Sequence, residues 1–173
     1  MERRQVEFAR VIQPLYEQTN CRQDGIGVLL TSTGSTGPNV MTIGWGLYGW
    51  FYHDHPVAVV AVRPACHTFQ LLDEVPEFVL CVPGPELAKA AKLCGTESGR
   101  DGDKFGRAGL TPAPSTFVQP PGIAQCPILI ECRIYHKQRP PHYILTPEHR
   151  RQPLEQQHTI YFAEVLGTFQ AVP

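Results

Sequence analysis

The run Cys94-Gly-Thr-Glu-Ser-Gly-Arg-Asp-Gly-Asp-Lys-Phe105 crowds glycines, hydroxyls, Arg100 and Lys104 into one loop behind a short helical stretch. Glycine lets a backbone approach a ligand closely and take φ > 0. Hydroxyls and cations bind an anionic group. A solvated turn has a similar composition, so the loop gains meaning from two other segments. In Val62-Arg-Pro-Ala-Cys-His-Thr-Phe69, Arg63 ends a strand-like run and His67-Thr68 precede a predicted helix. The free N–H groups of such a helix favour an anion; the plainer reading pairs Arg63 with a surface carboxylate and leaves Thr68 as a cap. In Asn39-Val-Met-Thr42, strand alternation turns Asn39 and Met41 one way and Val40 and Thr42 the other. Backbone N–H groups of that strand and the Thr42 hydroxyl suit a polar ligand edge, whereas Met41 and Trp45 also fit ordinary packing.

Other reactive residues point nowhere in particular. There is no Cys-x-x-Cys pair among the six cysteines, which argues against a zinc ribbon or a thioredoxin-like centre. Free thiols are expected, with Cys126 and Cys132 on one face of a strand-like run. Cys94 has no evident base beside it, so a catalytic thiol is not expected. His53-Asp-His55 puts two histidines at i and i+2, a metal-ligand spacing that a polar turn before Pro56 reproduces by accident.

The elements that must position these groups read mostly as β. Residues 25–32 and 39–45 form a hairpin about the Gly/Ser/Pro-rich turn 33–38. The apolar run 57–62 is a strand buried on both faces or a barrel stave. Pro64 ends it, and Thr68 can cap a helix over 69–74. A strand follows over 77–82, then a helix opened by Gly84-Pro85 and closed by Gly95. Later strands are expected over 116–119, 128–135 and 159–169, with a polar loop between the last two, of the kind that often covers a site. Residues 1–20 carry a weak helical period that Pro14 interrupts. One domain over 1–173, a β-barrel with short helical insertions, follows from this spacing.

Net charge is −1, so nothing suggests an electrostatic nucleic-acid or membrane partner, and none is expected. Met-Glu-Arg-Arg-Gln lacks a signal-peptide core and 57–62 is too short to span a bilayer, so a cytoplasmic location is expected. Charged residues make up 18%, below the usual ~25%, consistent with extra surface hidden in an oligomer.

In order and spacing the three segments resemble the flavoredoxin-type flavin reductase family, FMN-binding split β-barrels. The resemblance runs from about Gly25 to Val165 and is most specific over 94–105. It implies FMN as cofactor, with Asn39, Met41 and Thr42 lining the flavin and Arg63, His67 and Thr68 at the mononucleotide. Ser98 and Lys104 are candidates for further flavin or phosphate contacts, and Cys94 for the ring edge. Cys81 stands where the family commonly has Asn, and a thiol is a weaker donor. Gln157-His158-Thr-Ile-Tyr-Phe-Ala-Glu-Val165 resembles the strand whose histidine sits near nicotinamide or flavin; here Gln157 replaces the preceding acid and Ala163 the glycine.

The implied activity is transfer of a hydride from NADH or NADPH to flavin and on to an acceptor. No Gly-x-Gly-x-x-Gly is present, so nicotinamide would stack transiently on the flavin. A flavoredoxin-like electron carrier serving a redox protein partner, or a non-redox flavin-binding module, are the alternatives. The family's split barrels imply a homodimer, with which the aromatics Trp45, Tyr48, Trp50, Phe51 and Tyr52 agree.

Overall fold

The structure, a computed structural model, describes residues 1–20, 26–142 and 153–172. Ten strands and four α-helices follow in the order β1 (Arg3–Gln5), α1 (Ile12–Asn20), β2 (Val28–Ser32), β3 (Asn39–Ile43), β4 (Leu47–Phe51), β5 (His55–Val62), α2 (His67–Glu74), β6 (Glu77–Val82), α3 (Ala88–Thr96), α4 (Lys104–Arg107), β7 (Pro112–Ala113), β8 (Gly122–Ile123), β9 (Ile128–Gln138) and β10 (Thr159–Ala171). An antiparallel sheet runs β3-β2-β6-β9-β10-β5-β4, and β7-β8 pair separately. β10 is long enough to pair with β9 along one edge while its first half takes β5 and its last residues take β1 on the other. The sheet curls without joining β3 to β4, so both remain edges. No described helix is long and apolar enough to cross a membrane.

Strand alternation divides the core in two. Val28 and Leu30 of β2, Phe78, Leu80 and Val82 of β6, and Ile128 and Ile130 of β9 point into the barrel. Leu29, Val79, Cys81 and Leu129 point to the other face, where α3 and α4 add Ala91, Cys94 and Phe105. Burial on both faces explains why β6 reads as a nearly unbroken apolar run. In β5 the inward residues are Ala58, Val60 and Val62, as a barrel stave requires.

Several elements depart from the pattern in the sequence. Pro14 does not interrupt a helix; it sits in the first turn of α1, where its missing N–H has no intrahelical partner to lose. Gly95 lies inside α3, which ends at Thr96 with Glu97 as its C-cap. Its lack of a side chain serves packing, because a Cβ there would sit 3.3 Å from Thr42 Cβ. Thr68 does not cap α2 either: the helix starts two residues earlier, at His67, with Cys66 as N-cap. Cys126 and Cys132 fall in different cores, since Cys126 precedes β9.

Residues 116–119 are not a strand. Their amides are drawn instead to carboxylates: Thr116 N and Phe117 N donate to Glu131 at 2.9 and 2.6 Å, and Gln119 N donates to Glu77 at 2.9 Å. Glu131 is 2% exposed, so its charge is held by backbone dipoles rather than by water. Glu131→Leu would strand two donors around an apolar side chain. The expected loss is about 3 kcal/mol in urea unfolding; a loss below about 1 kcal/mol would mean that the segment finds other acceptors.

Candidate functional site

β3, the turn from β5 into α2, and the end of α3 with its following loop enclose one groove of about 240 Å3. Asn39, Met41 and Thr42 enter it from β3, Arg63 from the end of β5, and His67 and Thr68 from α2. Cys94, Ser98 and Lys104 close the far wall. All nine are residues singled out by the three sequence segments. The tenth, Cys81, is not there: it lies on the outer face of β6, fully buried in the same apolar cluster as Cys126. Burial first, and then Cys126, push its pKa up, so it is a core thiol without access to a ligand.

The groove's polar groups are fixed by one another. Asn39 Nδ2 donates to Thr68 Oγ1 at 2.9 Å, which occupies the hydroxyl that the sequence offered as a cap. Thr42 Oγ1 donates to Ala91 O at 2.6 Å and ties β3 to α3. His67 Nε2 lies 3.1 Å from Thr36 Oγ1. Two atoms are left over, Asn39 Oδ1 and His67 Nδ1, both buried without a hydrogen-bond partner. The first turn of α2 has no side-chain cap and no acidic residue, so its amides remain available to an anion.

Lys104 is 4% exposed, and its Nζ donates to Cys94 O at 2.8 Å and Glu97 O at 2.9 Å. An ammonium carries three donors, so one remains. Burial lowers the Lys104 pKa, and an anion in the groove would oppose that. Cys94 beside it is pushed up to about 11, by burial first, with Lys104 opposing and Glu97 adding to the rise; it is a thiol and not a thiolate. Arg100, Asp101 and Asp103, whose charges could have shaped the loop by pairing, form no salt bridge with one another. Arg100 donates to Ala65 O at 2.7 Å, Ser98 Oγ accepts from Arg100 N, and the ion pair of this loop joins Arg107 to Glu97.

Arg63 is exposed and has no carboxylate partner among the described residues. His158 lies near enough for the guanidinium to lower its pKa, after the larger effect of burial and ahead of that of His142. Its ring meets Trp45 edge-on at 6.3 Å, and its carbonyl faces His142 Nε2 at 2.7 Å. Asp73 of α2 takes Lys137 Nζ and Arg139 Nη2, each at 2.6 Å, and so pins the chain leaving β9 to the helix that borders the groove. Much of the expected covering loop, 143–152, lies outside the described residues. His53 and His55 belong to no group of three metal-binding side chains among the described residues; His55 pairs with Asp54 at 3.5 Å.

Sequence reasoning missed Gly99 as part of the site. A Cβ on Gly99 would fall 2.1 Å from Asn39 Oδ1 and 2.9 Å from His67 Cδ2, a contact between segments sixty residues apart that no local pattern announces.

Residues 24–171 match the model of the flavin reductase like domain. A protein of Archaeoglobus fulgidus is 35% identical over 105 residues, covering 61% of this chain and 58% of that protein. The chain thus spans little more than half the length of the curated relatives it matches. The flavoredoxin of Desulfovibrio vulgaris (Miyazaki F) superposes with a TM-score of 0.66 at 24% identity, over 82% of this chain and 67% of that one. An FMN-binding domain of a flavin reductases-like enzyme from Shewanella baltica OS155 gives 0.67 at 22%, over 98% and 77%. These likenesses show the fold, a mainly β split barrel. With the domain match covering most of its length, the chain belongs to the flavin reductase-like family.

Proposed function

We propose that the chain is an FMN-binding oxidoreductase that takes a hydride from NADH or NADPH and passes electrons to flavin or another acceptor. The observation that carries this reading is the groove, in which two cationic side chains and an uncapped helix start meet strand β3. The residues fit the group. Arg63, Thr68, Ser98 and Lys104 would hold a phosphate, and Asn39 and Thr42, with the backbone of β3, would face the polar edge of a ring. Met41 offers apolar cover. FMN, when bound, supplies the hydride and electron chemistry.

The chain's own residues would bind and orient. His158, kept neutral by its surroundings, makes no side-chain hydrogen bond to any described residue and would meet nicotinamide or the flavin rim beside Trp45. The second reading, an electron carrier between redox proteins, is favoured by Gln157, which leaves that imidazole without an adjacent acid to orient it. Anaerobic bleaching of the loaded protein by NADH or NADPH at catalytic rates decides for the reductase; bleaching only through a partner reductase decides for the carrier. A preparation that is colourless and cannot be reconstituted with FMN would sink both.

A second copy of the chain belongs to this reading. Trp50, Phe51 and Tyr52 are 46, 43 and 86% exposed on and beside the edge strand β4, an apolar face rarely left bare on a monomer. Sedimentation equilibrium should give a homodimer at micromolar concentration; a flavin-loaded monomer there would refute it.

Arg63→Ala should weaken FMN at least tenfold while changing riboflavin less than threefold, because only FMN carries the phosphate dianion. Equal losses for both ligands in a fluorescence titration would remove Arg63 from the phosphate side. His67 and His158 both have lowered pKa values, from burial first and then from Arg100 and Arg63 respectively. The unfolded chain therefore takes up these protons first as pH falls. Stability is intact above the ordinary histidine value of 6.5 and is lost as pH drops from there through the lowered folded values. Unfolding midpoints should fall between pH 7 and 5.5, and the His67→Asn, His158→Gln double variant should flatten that fall. An unchanged slope would assign it to other groups.

A further inference from the structure

Among the described residues five cysteines are free, and four of them, Cys81, Cys94, Cys126 and Cys132, are buried. Cys66 alone is partly exposed, and it lines the groove together with Arg63, His67 and Lys104. No role assigned above to flavin or nicotinamide uses this thiol.

Its setting is electropositive. Cys66 is the N-cap of α2; its carbonyl accepts from Phe69 N at 3.1 Å, but its side chain makes no cap bond. Arg100 is tied to the neighbouring Ala65 O at 2.7 Å, and Cys66 lies near enough to Lys104 to act on its pKa. Glu97, the carboxylate of the same groove, is taken by Arg107. A helix start and cations without a local counter-charge stabilise negative charge that develops on or beside a sulfur, and oxidants attack such cysteines selectively.

The groove also has polar demand beside the thiol. His67, the next residue, and Asn39 are 8 and 5% exposed, and His67 Nδ1 and Asn39 Oδ1 are buried without a hydrogen-bond partner. Both side chains crowd Gly99. Thr36 Oγ1 can donate to His67 Nε2, 3.1 Å away, which leaves the ring proton on Nδ1. The wall then carries one unmet donor and one unmet acceptor, the two bonds that an S–OH group makes.

We propose that Cys66 is an oxidative modification site: hydrogen peroxide converts its thiol to a sulfenic acid while the groove is empty, and the oxidised cysteine and a bound phosphate exclude each other. The sulfur attacks one peroxide oxygen, and the S–O bond forms as the O–O bond breaks. The released hydroxide takes the thiol proton and leaves as water, so sulfur loses the two electrons that peroxide gains. The added oxygen draws on the donors a phosphate would use, in a groove of about 240 Å3. The exclusion rests on the flavin reading above; the reactivity of Cys66 does not.

The chain, with and without FMN, is treated with hydrogen peroxide in the presence of dimedone, and the adducts are located by peptide mass spectrometry. Cys66 should be labelled at least tenfold faster than Cys81, Cys94, Cys126 or Cys132. Saturating FMN should slow this at least fivefold, and riboflavin, which lacks the phosphate, less than twofold. In a fluorescence titration, peroxide alone should weaken FMN at least tenfold and dithiothreitol should restore it. In Cys66→Ser, whose serine is a strong N-cap, the same treatment should change FMN binding less than twofold. Faster labelling of another described cysteine, or none at Cys66, overturns the proposal and leaves the flavin groove standing. Equal labelling with and without bound FMN overturns it as well. If FMN does not bind, the flavin reading fails, and inorganic phosphate takes its place in the labelling assay: protection of Cys66 upholds the proposal, and lack of protection ends it.

Discussion

The site depends on one buried ammonium. Lys104 reaches back from the start of α4 to the carbonyls of Cys94 and Glu97, which the end of α3 leaves without intrahelical donors. The negative end of the helix dipole offsets part of the cost of burying a cation. The bond also closes the chain between α3 and α4, and this fixes where Ser98, Gly99 and Arg100 stand. Arg100 then anchors the turn before α2 through Ala65 O, and Gly99 presses on Asn39 and His67. A loop that looks locally like a solvated turn is in fact held from both ends.

That arrangement accounts for what was legible in the residues. The strands β2, β5 and β6 could be read because their periods of burial are strong and their bounding prolines and glycines are local. Residues 116–119 could not, because their amides go to Glu131 and Glu77, acceptors that only tertiary structure brings near. Gly95 was misread for a related reason. A glycine near a helix end is a stop signal by local chemistry, yet here the decisive neighbour is Thr42 on β3. Helix α3 needs small residues on that side, and Ala91 and Gly95 are what allow Thr42 to bond the helix backbone.

The candidate site was readable to the extent that it lies in short contiguous motifs. Arg63, His67 and Thr68 come from one turn, and Cys94, Ser98 and Lys104 from one loop, so type and spacing sufficed. Cys81 failed because strand alternation had to be set against two cores at once. Its neighbours Leu80 and Val82 face the barrel, which sends Cys81 to the opposite side, towards Cys126. A residue aligned with a family position can keep its place in the strand and still offer the ligand nothing.

Three titratable groups of the groove are each biased towards one state. Cys94 is held protonated, Lys104 is bonded to two carbonyls, and His67 is kept below its ordinary pKa by burial and then by Arg100. Each of these conditions favours a fixed charge pattern over a titrating one. Arg63 and the bare first turn of α2 present positive potential, while β3 presents backbone donors and acceptors along an open edge. Such a surface can select a ligand by phosphate and ring edge and hold it still, leaving reactivity to the ligand. The proposed flavin chemistry asks for that division of labour, because hydride transfer between two stacked rings needs alignment and exclusion of water more than it needs an acid or a base.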